Sequence, residues 1–179
     1  ALAEAGAMMY MDDDIEMETI FGDGTESNSG FLGSLMGAGK RLLTGESLFM
    51  TVFSNQGSTK RRVAFGGPYP GKIHPVYLPD VGGAVVCQKD SFLCAAKGVS
   101  VGIAFQKKIG AGLFGGEGFI MQRLEGDGLV FLHAGGTLRE IDLEAGRCPR
   151  VDTGCIAAFQ PTVDYVVKFV GGIKSALFG

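Results

Sequence analysis

The chain has 179 residues, 46% of them hydrophobic, and a net charge of −3 from 16 basic and 19 acidic side chains. This length suits one domain with its own core, and the apolar share excludes intrinsic disorder. The mildly acidic balance excludes a global attraction for nucleic acid or anionic membranes, and no apolar run is long enough to cross a bilayer. We therefore expect one soluble, cytoplasmic domain over residues 1–179.

Short runs of alternating apolar and polar residues, separated by glycine-rich turns, predict β-strands along the chain. A hairpin is predicted at the acidic turn Asp12–Asp14, because residues 15–19 alternate directly after it. Further strands are predicted at residues 47–53, 85–87, 91–95, 99–105, 118–124, 129–132, 138–143 and 163–169. Turns at this spacing are typical of an all-β sandwich or barrel with little helix.

Internal echoes indicate that the strands form duplicated units. Residues 44–50 resemble 115–121, residues 70–73 resemble 135–138, and residues 92–96 resemble 154–158. The echoes define quasi-repeats of approximately residues 40–110 and 111–179, whose apolar faces must be buried against each other or against another subunit. Glu46 with Phe49 in one copy, and Glu117 with Phe119 in the other, are the residues for which we predict a structural or interface role.

The four cysteines are Cys87, Cys94, Cys148 and Cys155, two pairs each separated by seven positions. Zinc ligands usually come in pairs about two to four positions apart, and residues seven apart in a straight strand point to opposite faces. Reduced, mostly buried thiols are therefore favoured over a disulfide or a metal site.

Catalytic patterns are lacking in the sequence. Its two histidines, His74 and His133, fall one in each repeat, so neither a cupin-like metal site nor a serine hydrolase triad assembles from local spacing. The run Asp12–Asp14 is interpreted as a solvated turn, since the rest of a calcium loop is missing. We predict no enzyme activity, no cofactor and no metal. A small-ligand protein or an enzyme with a pocket between the repeats stays an alternative.

The basic run Lys60, Arg61 and Arg62 is the candidate nucleic-acid contact, together with Lys40–Arg41 and Lys107–Lys108. Phosphate binding needs such clusters, and a ring assembly would multiply them. Against it stand the acidic balance and the lack of aromatic residues beside the basic ones for base stacking. A solvated loop is the competing interpretation.

Several motifs, in order along nearly the whole chain, resemble the family named for altered inheritance of mitochondria, including its largely uncharacterised bacterial members. The motifs are Ala5–Met11, Gly45–Phe49, Val63–Phe65 with Pro70–Ile73, Gly115–Phe119 and Val151–Phe159. The resemblance implies a double-stranded β-helix similar to the tryptophan-sensing RNA-binding attenuation protein, assembled as homo-oligomers, with a trimer among the expected sizes. Compared with this family, the opening and final strands look absent.

The resemblance supplies no catalytic residues, although mitochondrial members are linked to inner-membrane organisation. We therefore predict a non-catalytic, oligomeric β-domain that acts as a scaffold or interaction protein with an unidentified protein partner. An RNA-binding ring is the first alternative to this function.

Overall fold

The computed structural model describes residues 1–21, 49–107 and 119–168. These residues form strands joined by turns and three short 3₁₀ turns, at Leu78–Val81, Lys89–Ser91 and Thr153–Cys155, and contain no α-helix. The strands are β1 (Leu2–Glu4), β2 (Met8–Met11), β3 (Ile15–Phe21), β4 (Phe49–Asn55), β5 (Val63–Phe65), β6 (Lys72–Tyr77), β7 (Ala84–Gln88), β8 (Phe92–Ala95), β9 (Val99–Lys107), β10 (Phe119–Gly126), β11 (Leu129–Ala134) and β12 (Ala158–Phe159). The all-β prediction is confirmed.

The strands form three antiparallel sheets. Six strands lie in the order β3-β4-β1-β8-β11-β6, four in the order β12-β7-β10-β9, and β2 pairs with β5. Side chains of the six- and four-stranded sheets, among them Met50, Phe92, Cys87 and Leu124, share the main core. The opposite face of the six-stranded sheet is covered at its centre by the β2–β5 pair. We call this opposite face the outer face of the six-stranded sheet.

A bulge in β9 decides which aromatic residues enter which layer. Ile103 pairs with Gln122 and Phe105 pairs with Met121, so Ala104 is an extra residue without a cross-strand partner. Without it, Phe105 would share the face of Ile103, which packs on the main core. Phe105 instead lies on the far side of the four-stranded sheet, with its ring centroid 6.5 Å from that of Phe119.

A segment from the chain's last described part covers this far side. Ile156, Phe159, Tyr165 and Val167 pack against Val86, Phe119 and Met121 there. The Tyr165 ring lies 5.7 Å from Phe105 and 5.0 Å from Phe159. The later part of this segment, residues 163–169, is predicted from the sequence to be a strand, but residues 163–168 form none. Its alternation reflects packing across a sheet face, with Tyr165 and Val167 turned inward and Val166 76% exposed.

Two other expectations about strands are wrong. Residues 138–143 form no strand, because no described strand pairs with them, and Ile141 is 53% exposed. The hairpin expected at Asp12–Asp14 is not formed either, because β2 pairs with β5 and β3 pairs with β4. The acidic turn therefore links two sheets, and a local alternation could not reveal which strand each side would join.

The proposed internal repeat stays a prediction. The echoed segments at residues 92–96 and 154–158 both lie at a 3₁₀ turn followed by a strand. By contrast, Lys72 is the first residue of β6, whereas its counterpart in the echo, Thr137, lies outside any strand. Glu46, Glu117, Lys40–Arg41 and Lys108 lie outside the described residues.

Candidate functional site

The basic run predicted as a nucleic-acid contact lies against the acidic turn. Pairing of β2 with β5 brings them together, with the Asp12 N–H donating to the Arg62 carbonyl at 2.9 Å. The Arg62 N–H donates to Asp12 Oδ2 at 2.8 Å. Arg61 Nη2 donates to Asp14 Oδ2 in an ion pair. The hydrogen bond that Arg61 donates to Asp14 is the main cause that raises the pKa of Arg61, followed by the charge of Asp14 and, less strongly, those of Asp12 and Asp13.

Arg61 therefore already has the Asp14 carboxylate as a partner, and Asp12 accepts the backbone N–H of Arg62. Nucleic-acid binding depends on cationic side chains that can neutralise phosphates and so displace the counterions of the nucleic acid, and an arginine already paired with a carboxylate contributes little to it. The geometry weighs against RNA binding through Arg61. The same contacts occupy Asp12 and Asp14, and residues 1–21, 49–107 and 119–168 hold no group of three metal-ligating side chains.

The two histidines lie on opposite faces of the six-stranded sheet. His74 pairs with Leu132, a main-core residue, whereas His133 is the next residue along β11 and points to the outer face. His74 Nε2 lies 3.9 Å from Glu140 Oε1 at the surface. His133 is 3% exposed, and its Nδ1 has no hydrogen-bond partner among the described residues.

A glycine-rich loop encloses His133. The Tyr69 ring packs on its imidazole with a centroid distance of 4.7 Å. A Cβ atom placed on Gly67 would lie 2.5 Å from the imidazole ring. A Cβ on Gly71 would lie 2.5 Å from the Ala134 carbonyl oxygen and 2.6 Å from His133 Nε2. Glycine is required at both positions because the backbone approaches these atoms so closely.

The described cysteines are free thiols in two different environments. Cys87 and Cys94 are buried, whereas Cys148 and Cys155 are exposed. Burial, together with the charge of Glu4, raises the pKa of Cys87 to about 12. Burial raises the pKa of Cys94 to about 11. Both buried thiols are therefore protonated and unreactive near neutral pH.

Gln122 is a buried polar residue that sequence reasoning missed. It pairs with Cys87 across β10 and β7, is 1% exposed, and neither of its side-chain polar atoms has a partner in the described part of the chain. The available signal was its place between Ile120 and Leu124, at a position where strand alternation calls for an apolar residue. Gln122 and His133 lie in different layers, so they do not form one site.

An apolar surface is left open on the outer face of the six-stranded sheet, beyond the β2–β5 pair. Tyr77 pairs with Leu129, and Ile73 pairs with His133, so these side chains share the face of His133. Ile73 and Tyr77 are each 48% exposed, and Leu129 is 40% exposed. We call Ile73, Pro75, Tyr77 and Leu129 the β6 flank. The strand register places these four exposed apolar side chains together on one face.

Comparisons with known proteins bear on the identity of this fold. The family model described as mitochondrial biogenesis AIM24 matches residues 1–179. The chain belongs to this AIM24 family. A crystal structure similar to it is that of protein SPYM3_0169 from Streptococcus pyogenes, with a TM-score of 0.71 and 19% identity over 98% of this chain and 73% of that chain. At this identity the likeness shows the fold alone. No curated protein matches the chain.

The repeat-related residues of this AIM24 member differ in environment where they are described. Phe119 is 3% exposed and belongs to the aromatic cluster on the far side of the four-stranded sheet. Phe49 is 45% exposed and pairs with Phe21 at the β3–β4 end of the six-stranded sheet. Their assignment as interface or repeat residues stays a prediction.

Proposed function

We propose that this AIM24 family member is a non-catalytic β-domain that associates with itself and serves as a scaffold or protein-interaction unit. The observation that carries this proposal is the exposed β6 flank. Its apolar side chains lie together on a regular sheet face, and exposed apolar groupings of this kind are typical of protein contacts. A regular sheet also presents its side chains at fixed spacing, which suits a rigid partner.

The arrangement of buried polar groups supports the non-catalytic part of the proposal. Acid–base or nucleophilic catalysis needs several such groups within hydrogen-bond reach of one another. Gln122 faces the main core from the four-stranded sheet, whereas His133 is enclosed on the outer face of the six-stranded sheet. The buried thiols are held protonated by pKa values of about 12 and about 11.

Native mass spectrometry with light scattering tests the proposal. We expect a discrete oligomer of the full chain at micromolar concentration, without a bound small molecule. A monodisperse monomer across that concentration range would refute self-association, and a stoichiometric co-purified ligand would favour the alternative of a small-ligand protein.

A further inference from the structure

The two outer edges of the six-stranded sheet carry matching side chains. Strand β3 forms one edge and β6 the other, and no described strand pairs with the free side of either. On β3, Met17 pairs with Phe53, which packs against the β2–β5 pair on the outer face. Met17 therefore lies on the outer face as well. It is 43% exposed. On β6, Ile73 lies on the same face and is 48% exposed.

The inner face of the six-stranded sheet, which packs on the main core, carries two carboxylates at the β3 edge and the Lys72 cation at the β6 edge. Glu18 pairs with Val52, which packs against the main core, so Glu16 and Glu18 share the inner face of β3. His74 pairs with the main-core residue Leu132, so Lys72 and His74 share the inner face of β6. Glu16, Glu18 and Lys72 are exposed, whereas His74 is partly covered and has Glu140 of the same chain 3.9 Å away.

Strand direction makes the two edges compatible. Every neighbouring pair in the sheet is antiparallel, and six is an even number of strands, so β3 and β6 run in opposite directions. When the sheet of one copy is continued by a rotated second copy, β6 therefore meets the next β3 antiparallel, as in every other pair. The faces also stay aligned when the rotation axis runs roughly along the strands, because the outer face then points outward in every copy.

We propose that the β6 edge of one copy packs antiparallel against the β3 edge of the next, with Lys72 opposite Glu18, His74 opposite Glu16 and Ile73 opposite Met17. This inference rests on the proposed self-association and adds the surface that mediates it. The contact is heterologous, since it joins two different edges. Such a contact builds a ring when the rotation between copies closes and an open filament when it does not, and the ring is the expected assembly. Pro75 offers no N–H, so side-chain packing and charge pairing carry more of this contact than backbone hydrogen bonds.

Cysteine cross-linking tests the contact directly. In a Cys148→Ser, Cys155→Ser background, which removes the exposed thiols, the pair Met17→Cys and Ile73→Cys should form intermolecular disulfides under mild oxidation. The expected product is a ladder that ends at the native subunit number. Met17→Cys alone and Ile73→Cys alone should not cross-link. Cross-linking by Ile73→Cys alone would mean that two β6 edges meet, and would overturn the proposed contact.

A charge exchange provides an independent test at exposed positions, where folding should be preserved. Glu18→Lys and Lys72→Glu should each raise the dissociation constant about tenfold or more, because each places like charges together. The double variant should restore association to within about threefold of the original. Lys97→Glu, an exposed charge reversal away from both edges, is the matched control and should change nothing.

The outcomes separate this inference from the proposed function. A monomeric unmodified protein would refute both. An oligomer that forms no cross-link through the cysteine pair, and that tolerates both charge reversals, would refute the edge contact and leave self-association standing.

Discussion

Replacing the glycines around His133 by alanine should destabilise the fold by an amount that the geometry sets. The Cβ of Gly67→Ala would lie 2.5 Å from the imidazole, against about 3.5–4.0 Å for an ordinary carbon contact, so roughly 1 Å of movement is needed. The imidazole has little room to move, since it is 3% exposed and packed under Tyr69. Overpacking of this kind costs about 1–3 kcal/mol.

Part of that cost is offset in the unfolded chain, where alanine has less conformational freedom than glycine, an effect of about 0.4–1 kcal/mol. The net loss for Gly67→Ala is then about 1–2 kcal/mol, which lowers Tm by about 2–8 °C for a domain of this size. Gly71→Ala should cost more, because the atom it meets at 2.5 Å is the carbonyl oxygen of Ala134, which the β6–β11 pairing holds in place.

Urea unfolding and thermal melts followed by circular dichroism measure these changes. Gly102→Ala is the control, since a Cβ there meets nothing within 4 Å, and it should leave stability unchanged or raise it slightly. The decisive comparison is Gly67→Ala in a His133→Ala background, where the added methyl group has space. Equal costs of Gly67→Ala in the two backgrounds would refute the explanation.

Three further predictions follow from the described contacts. Phe119→Ala should lower the free energy of unfolding in urea by about 3–5 kcal/mol because Phe119 is 3% exposed. Phe49→Ala should lower it far less because Phe49 is 45% exposed, and similar losses would contradict their different environments. Because the pKa of Cys87 is raised to about 12, its contribution to stability is complete below about pH 9 and is lost as pH rises toward 12. Between pH 9 and 10.5 the free energy of unfolding should therefore fall less steeply in Cys87→Ala than in the unmodified protein, and equal slopes would count against burial as the cause. In the unmodified protein, a disulfide reagent at pH 8 should modify Cys148 and Cys155 long before the buried thiols, and equal rates would count against the same cause. Asp14→Asn frees the Arg61 guanidinium and should increase retention of mixed RNA at low salt in a filter assay. Arg61→Ala should retain as much RNA as the unmodified protein does. A loss of retention with Arg61→Ala would restore this loop as an RNA contact.

The sequence predicts the all-β class and most strands because alternation is a local property of a half-buried strand. It does not predict which strands pair. Residues 163–168 alternate as a strand does, yet they lie across a sheet face, and the bulge at Ala104 moves Phe105 to the opposite side from Ile103. Both outcomes depend on residues distant along the chain.

The candidate sites show the same limit. The basic run and the acidic turn are each evident in the sequence, but only the β2–β5 pairing shows that they lie side by side and that Arg61 pairs with Asp14. The enclosure of His133 was equally hidden, because its glycines belong to a loop more than sixty residues earlier in the sequence. A histidine in a strand gives no local sign of what packs over it.

The position of β1 has a consequence for how the protein is made. Leu2 pairs with Val52 on one side and with Ala95 on the other, so β1 lies between strands that a ribosome releases much later. The sheet cannot close around β1 until β8 has emerged, and closing such distant pairings slows folding. During synthesis the apolar residues of the early strands stay accessible to water, and this is the stage at which we expect a nascent chain to depend most on chaperones.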